Sequence, residues 1–124
     1  MKVEEIKRLS IASDKLEIQE VIYKLARGID RCDENLLKEC FHKGATDDHG
    51  QFKGSAEEFI TWVIPVLKTM EATQHCICNV LVDLDGDKAS TESYFLAFHR
   101  IKGEEDDSDM VAAGRYLDSL EKRD

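Results

Sequence analysis

Two stretches of the sequence decide the fold: Leu16-Glu-Ile-Gln-Glu-Val-Ile-Tyr-Lys-Leu-Ala-Arg-Gly-Ile-Asp30 and the later His75-Cys-Ile-Cys-Asn-Val-Leu-Val82. In the first stretch, apolar residues recur at the spacing of one helix face, at Ile18, Val21, Ile22, Leu25 and Ile29. The second stretch is rich in β-branched residues, which is typical of a strand. The two patterns predict that helices come first and a sheet follows.

The segments around the first stretch predict three helices and a hairpin or loop. Ser13 or Asp14 is the predicted cap of the first helix, and Asp33 that of a short second helix. The glycine-rich segment 44–54 predicts a hairpin or loop, and the capping box Ser55-Ala-Glu-Glu58 opens a third helix. The predicted buried side of that helix consists of Phe59, Trp62, Val63, Val66, Leu67 and Met70.

The second half of the chain predicts three long antiparallel strands. They cover 73–82, 88–101 and 110–120, with a turn at Asp85-Gly86-Asp87 between the first two. The predicted architecture is therefore α+β, with the helices packed on one face of a curved sheet. At 124 residues the chain is expected to be a single domain, and a final strand is expected beyond Asp124.

Composition and charge exclude several classes of partner. There are 26 acidic and 17 basic residues, for a net charge of -9, which argues against nucleic acids and anionic membranes as partners. The charged N-terminus has no signal-peptide pattern, so a cytoplasmic location is expected. The four cysteines include no C-x-x-C pair, and free thiols are favoured over disulfides or a zinc site; no metal site is predicted.

Asp30 and His75 are the candidate catalytic residues, because a carboxylate and an imidazole form the smallest common general-base unit. Taken singly, each also fits a structural interpretation, as an exposed aspartate at a helix end and a hydrogen-bonded core histidine. Tyr23 shares the helix shoulder of Asp30, whereas His42 and His49 lie in polar contexts that carry no functional signal. Strand alternation places the following on the His75 face: Thr73, Ile77, Asn79 and Leu81, then Ser93, Phe95, Ala97 and His99, then Met110, Ala112, Gly114 and Tyr116.

The chain resembles the SnoaL-like branch of the nuclear transport factor 2-like superfamily, which includes scytalone dehydratase, hexachlorocyclohexane dehydrochlorinase and bile-acid dehydratase. The matching pieces are Gly28-Ile-Asp30, Phe52-Lys-Gly54, His75-x-x-x-Asn79, Gly86-Asp-Lys-Ala89, and Gly114-Arg-Tyr-x-Asp118 with Glu-Lys-Arg-Asp124. The resemblance implies a cone-shaped, cystatin-like barrel around an apolar pocket that holds an Asp30–His75 dyad. It further implies supporting roles for Tyr23, His99 and Tyr116, and a pocket wall of Trp62, Val66, Ile77, Phe95, Ala97, Met110 and Ala112.

One departure from the family bears on function. The dehydratases carry a carbonyl-polarising tyrosine where this chain has Leu25, so the dehydrochlorinase-like pattern fits best.

The resemblance implies a cofactor-independent lyase or isomerase acting on a small hydrophobic substrate of polycyclic or steroid-like type. The alternative is a non-catalytic ligand-binding or structural module, like the β subunit of ring-hydroxylating dioxygenases. A homodimer or higher homo-oligomer is expected on both interpretations, because the sheet has apolar residues on both faces.

Overall fold

Helices precede a long antiparallel sheet, so the predicted α+β architecture is confirmed. A computed structural model describes residues 1–123. Its elements are α1 (Val3–Asp30), α2 (Glu34–Glu39), β1 (Thr46–Asp48), β2 (Lys53–Ser55), α3 (Ala56–Lys68), β3 (Ala72–Asp85), β4 (Lys88–Ile101) and β5 (Ser108–Glu121). Asp124, part of the predicted C-terminal motif, and the strand predicted after it lie outside the described residues.

Helix α1 is longer than the sequence pattern predicts. It begins at Val3, so the prediction that Ser13 or Asp14 caps it is wrong. No proline or glycine interrupts the segment before the apolar stripe. Ser13 and Asp14 do not stop the helix, because the residues around them favour helical structure. Asp14 instead accepts a hydrogen bond from the Lys122 ammonium group at 3.0 Å, which ties α1 to the end of β5.

A tight connection between α1 and α2 fixes the end of α1. Asp33 caps α2 as predicted, accepting a hydrogen bond from the Leu36 backbone N–H at 3.1 Å. Leu37 is fully buried against Gly28, where an added Cβ would lie 2.8 Å from Leu37 Cδ2. Glycine at position 28 therefore allows the two helices to approach closely just before Asp30.

Residues 44–54 include the predicted hairpin, with β1 paired to β2, and Ser55 caps α3 as predicted. The buried side of α3 differs from the prediction at two positions. Val66 is exposed and Ile60 is buried, because the helix presents Ile60 to a core formed among α1, α2 and α3. The buried members of this core are Ile29, Leu37, Phe59, Ile60, Val63 and Leu67.

The sheet has the order β3-β4-β5, and His75, Ala97 and Ala112 lie side by side across it. A β-bulge between Ile77 and Val80 shifts the register of β3. The prediction that Asn79 and Leu81 share the face of His75 is therefore wrong: an extra residue in a strand reverses the alternation beyond it, and both side chains are exposed.

Ser93, Ala97 and His99 share the inner face of β4 as predicted, and all three are buried. The opposite face of the sheet carries large exposed apolar side chains, at Leu81, Tyr94, Leu96, Phe98, Val111 and Leu117. Among residues 1–123, no helix has both the length and the apolar character needed to cross a membrane.

Candidate active site

Asp30 and His75 meet where the end of α1 reaches the edge of the sheet. Asp30 is the last residue of α1, and His75 lies in β3, an outer strand. The Asp30 carboxylate accepts the His75 backbone N–H at 2.9 and 3.0 Å, and Asp30 Oδ1 lies 2.7 Å from His75 Nδ1. The predicted contact between the two side chains is therefore present. The carboxylate also pairs with the His75 backbone N–H, which lies at the open edge of the sheet.

This hydrogen bond determines which ring nitrogen of His75 is available. An ionised carboxylate only accepts, so Nδ1–H must be the donor. In the neutral ring, Nε2 then carries the lone pair that a general base requires. The side chains are largely buried, with 9% of His75 and 22% of Asp30 exposed, so the pair is held in place.

A second imidazole lies beside the dyad. The rings of His75 and His99 are 5.5 Å apart in an edge-on arrangement, and His99 Nδ1 lies 3.0 Å from Thr73 Oγ1. Burial lowers the pKa of His99, the neighbouring His75 lowers this pKa further, and Asp30 opposes the change. His99 is therefore biased toward its neutral form, which makes it a hydrogen-bonding neighbour rather than an acid at neutral pH.

A cleft of about 300 Å³ adjoins the dyad between α1 and β3. The resemblance predicts an apolar pocket, but this cleft has a mixed lining. Its lining residues are Tyr23, Ala26, Arg27, Asp30, Arg31, His75 and Ile77. Tyr23 thus borders the same cleft as the dyad, and two arginines that the sequence prediction did not include stand beside it.

The predicted pocket wall is distributed over the molecule. Ile77 lines the cleft beside the dyad, and Ala97 is buried next to His75 in the sheet. Trp62, Phe95 and Ala112 are half-buried. Val66 and Met110 are exposed and lie outside the lining of the cleft beside the dyad, so their place in a pocket wall stays a prediction.

Tyr116 lies on the inner face of the sheet, apart from the dyad. Its ring stacks on Phe95 with centroids 4.2 Å apart. Burial raises the pKa of Tyr116 to about 12, with further contributions from Asp118, Asp30 and Asp47. Among residues 1–123, Tyr116 has no hydrogen bond to Asp30 or His75, so its predicted supporting role remains a prediction.

The sequence prediction missed a second aspartate–histidine pair. His49 Nδ1 lies 2.5 Å from Asp47 Oδ2, and the His49 ring stacks on Phe59 with centroids 4.6 Å apart. The Asp47-x-His49 spacing is a signal for this pair, because residues two apart share a face of a strand. Nearby, burial raises the pKa of Asp118, Asp47 raises it further, and His49 lowers it.

The cysteines are free thiols, as predicted. Within residues 1–123, no group of three or more histidine, cysteine, aspartate or glutamate side chains is arranged to hold a metal ion.

The comparisons with known proteins agree with this fold. A family model described as a SnoaL-like domain matches residues 10–124. The structure is similar to a hexachlorocyclohexane dehydrochlorinase (LinA) type 2, at 20% identity and a TM-score of 0.79, over 94% of this chain and 80% of that chain. It is also similar to a "putative scytalone dehydratase" from Novosphingobium aromaticivorans, at 20% identity and a TM-score of 0.79, over 91% of this chain and 76% of that one.

A third similar structure, from Nostoc punctiforme, is a protein of unknown function with a cystatin-like fold. It shares 23% identity at a TM-score of 0.74, over 90% of this chain and 82% of that chain. At these identities the likeness shows the fold. No curated protein matches the chain.

Proposed function

The chain belongs to the SnoaL-like domain family, and on that premise we propose that it is a cofactor-independent lyase or isomerase in which His75 is the general base and Asp30 orients it. The observation that carries the proposal is the 2.7 Å hydrogen bond from His75 Nδ1 to Asp30, beside an open cleft. The dehydrochlorinase and the scytalone dehydratase among the similar folds are named for eliminations, which supports this reaction class.

The proposed step is removal of a proton from a substrate carbon. His75 Nε2 accepts the proton, and the electron pair of the C–H bond forms a double bond as a halide or hydroxyl leaves the adjacent carbon. Asp30 stabilises the imidazolium that forms, and a positioned base of this kind contributes about 10²–10⁴-fold. If the proton returns to another carbon of the substrate, the outcome is isomerisation.

A hydroxyl leaving group also needs a proton, which departs with it as water. The imidazolium of His75 holds the proton just removed and is the available donor. His99 is the less suitable acid because its pKa is lowered. A halide leaves without protonation, so the site as described fits dehydrohalogenation most simply.

The base can be tested with 5-nitrobenzisoxazole, which opens to a coloured phenolate when a base removes its carbon-bound proton and its N–O bond breaks. We expect the protein to accelerate this reaction above the same concentration of free imidazole and His75→Gln to lose the acceleration. His42→Gln is the matched control, because His42 is exposed and its Nε2 lies against the Glu121 carbonyl, away from the cleft. Equal rates for the wild-type protein and a folded His75→Gln variant would contradict the proposal.

The second candidate function is a non-catalytic ligand-binding or structural module, and one observation favours an assembled protein on either interpretation. The outer face of the sheet exposes Leu96, Phe98 and Val111, which neighbour one another on β4 and β5. We propose that a second copy of the chain covers this face. Light scattering after size exclusion should give a dimer or larger species for the wild-type protein and a monomer for Phe98→Lys; a monomeric wild-type protein would refute the assembly.

A further inference from the structure

Two arginines stand at the cleft that holds the dyad. Arg27 lies one turn before the end of α1, Arg31 follows its last residue, and both line the cleft with Asp30 between them in sequence. Residues four apart lie on the same side of a helix, so the two guanidinium groups flank one opening. Both side chains are exposed and free to reach a ligand.

Neither arginine has a carboxylate partner among residues 1–123. Arg8, near the start of α1 and outside the lining of the cleft, also lacks one, whereas Arg100 pairs with Asp109, Arg115 with Glu92, and Arg123 with Glu121. This difference is informative in a chain with nine more acidic than basic residues.

The nearby acids explain why the two arginines remain unpaired. Both oxygens of Asp30 already accept hydrogen bonds from His75. Asp33 accepts the Leu36 backbone N–H, Glu20 pairs with Lys24, and Glu34 pairs with Lys38. The carboxylates closest in sequence are therefore engaged, and two fixed positive charges remain at the cleft.

We propose that Arg27 and Arg31 bind an anionic group of the substrate, a carboxylate or a phosphate, while its carbon skeleton lies in the cleft against Ala26 and Ile77 with the reacting carbon at His75. The guanidinium group suits this role because its fork of donors matches the oxygens of either anion. The inference rests on the proposed function for the position of the reacting carbon, and it narrows the substrate class from hydrophobic to amphipathic and anionic. In a protein of net charge -9, local positive charge is required to hold such a ligand.

A purely structural role for these arginines is the competing explanation. Cations near the C-terminal end of a helix stabilise it through its dipole. That role predicts that removing the charges lowers the free energy of unfolding without changing ligand preference. Ligand selectivity is therefore the readout that separates the two roles.

The test compares decanoate, decyl phosphate and decanol as probes, followed by NMR at the His75 backbone amide and the arginine Nε–H signals. We expect both anions to bind more tightly than decanol, with affinities that fall as salt rises. In Arg27→Gln/Arg31→Gln the affinity for the preferred anion should drop at least about tenfold, as expected for lost charge-assisted hydrogen bonds. Decanol binding should change little, and the better of the two anions identifies the group as a carboxylate or a phosphate.

Arg8→Gln is the matched control, because Arg8 lies exposed on the same helix, forms no ion pair among residues 1–123 and stands outside the lining of the cleft. Its anion affinity should equal that of the wild-type protein. Equal binding of decanoate, decyl phosphate and decanol, or unchanged anion binding in the double variant, would overturn the proposal. Anion binding that persists in His75→Gln, which lacks the proposed base, supports the arginine site even if the dyad proves not to be catalytic.

Discussion

Among residues 1–123, two aspartate–histidine pairs have the same hydrogen bond, from a ring Nδ1 to a carboxylate, in different surroundings. Asp30 and His75 are 45 residues apart, and the carboxylate also accepts the backbone N–H of its partner. Asp47 and His49 are two residues apart, and their imidazole is stacked on Phe59. The surroundings of the two pairs differ: the first pair borders a cleft, and the second belongs to the packing of a hairpin on the helical core.

The largest expected difference is in catalysis. His75→Gln should lower the elimination rate by about 10²–10⁴-fold, because the base is lost. His49→Gln should leave the rate close to that of the wild-type protein. The rates are measured with 5-nitrobenzisoxazole on variants whose circular dichroism matches that of the wild-type protein, and a larger loss in His49→Gln would reverse the ranking of the pairs.

The next difference is in stability. Asp30→Ala leaves two donors of His75 without a partner in a largely buried site, and should lower the free energy of unfolding by about 1–3 kcal/mol. Asp47→Ala should cost less, about 1 kcal/mol or below, because 32% of its histidine partner is exposed and water can replace the carboxylate. Urea unfolding at pH 7 measures both changes. Equal losses in the free energy of unfolding would show that Asp30 stabilises the fold no more than Asp47 does.

The next difference is in how stability depends on pH. Beside the first pair lies His99, whose pKa is lowered from 6.5 in the folded protein. Below pH 6.5 the unfolded chain therefore binds more protons at this position than the native state, and stability falls as the pH drops through the lowered pKa. His99→Gln should reduce that loss, whereas His42→Gln should retain it. Unfolding by urea at several values between pH 4 and pH 8 measures the slope, and an unchanged slope in His99→Gln would contradict the assignment.

The smallest effect concerns the surroundings of the second pair. Burial raises the pKa of Asp118 from 3.8, so its ionised form is disfavoured in the folded state. Stability therefore falls as the pH rises from 3.8 through the raised pKa, and Asp118→Asn should remove that loss. The variant should be slightly more stable than the wild-type protein at pH 7 and lose this advantage near pH 3; a lower melting temperature at pH 7 would contradict the expectation.

Sequence patterns predicted the parts of this molecule that follow from local spacing. The stripe through Ile22 and Ile29 gave the buried side of α1, and the capping residues gave the starts of α2 and α3. The proximity of Asp30 and His75 was implied by family resemblance, because no local pattern links residues 45 apart.

The features that were missed depend on how elements are placed on one another. Arg27 and Arg31 line the cleft because of how α1 is rotated against the edge of β3. An amphipathic stripe in the sequence identifies the buried side of a helix, but it does not show what lies beside the exposed side. His49 looks like an exposed hairpin residue until Phe59 of α3 is packed against it. The bulge after Ile77 has no glycine to mark it.

The bulge in β3 has a consequence for how this strand tolerates insertions and deletions during evolution. Val80 and Val82 lie on the inner side of the sheet because Cys78 and Asn79 together face one residue of β4, so that the bulge takes up the extra residue. Deleting Asn79 would remove the bulge and restore strict alternation with Val80 and Val82 still on the inner side, whereas deleting Leu81 would turn Val82 outward and Asp83 toward the helices. The number of residues at the bulge can therefore vary by one among relatives of this chain, whereas the number between Val80 and the Asp85-Gly86 turn should be kept.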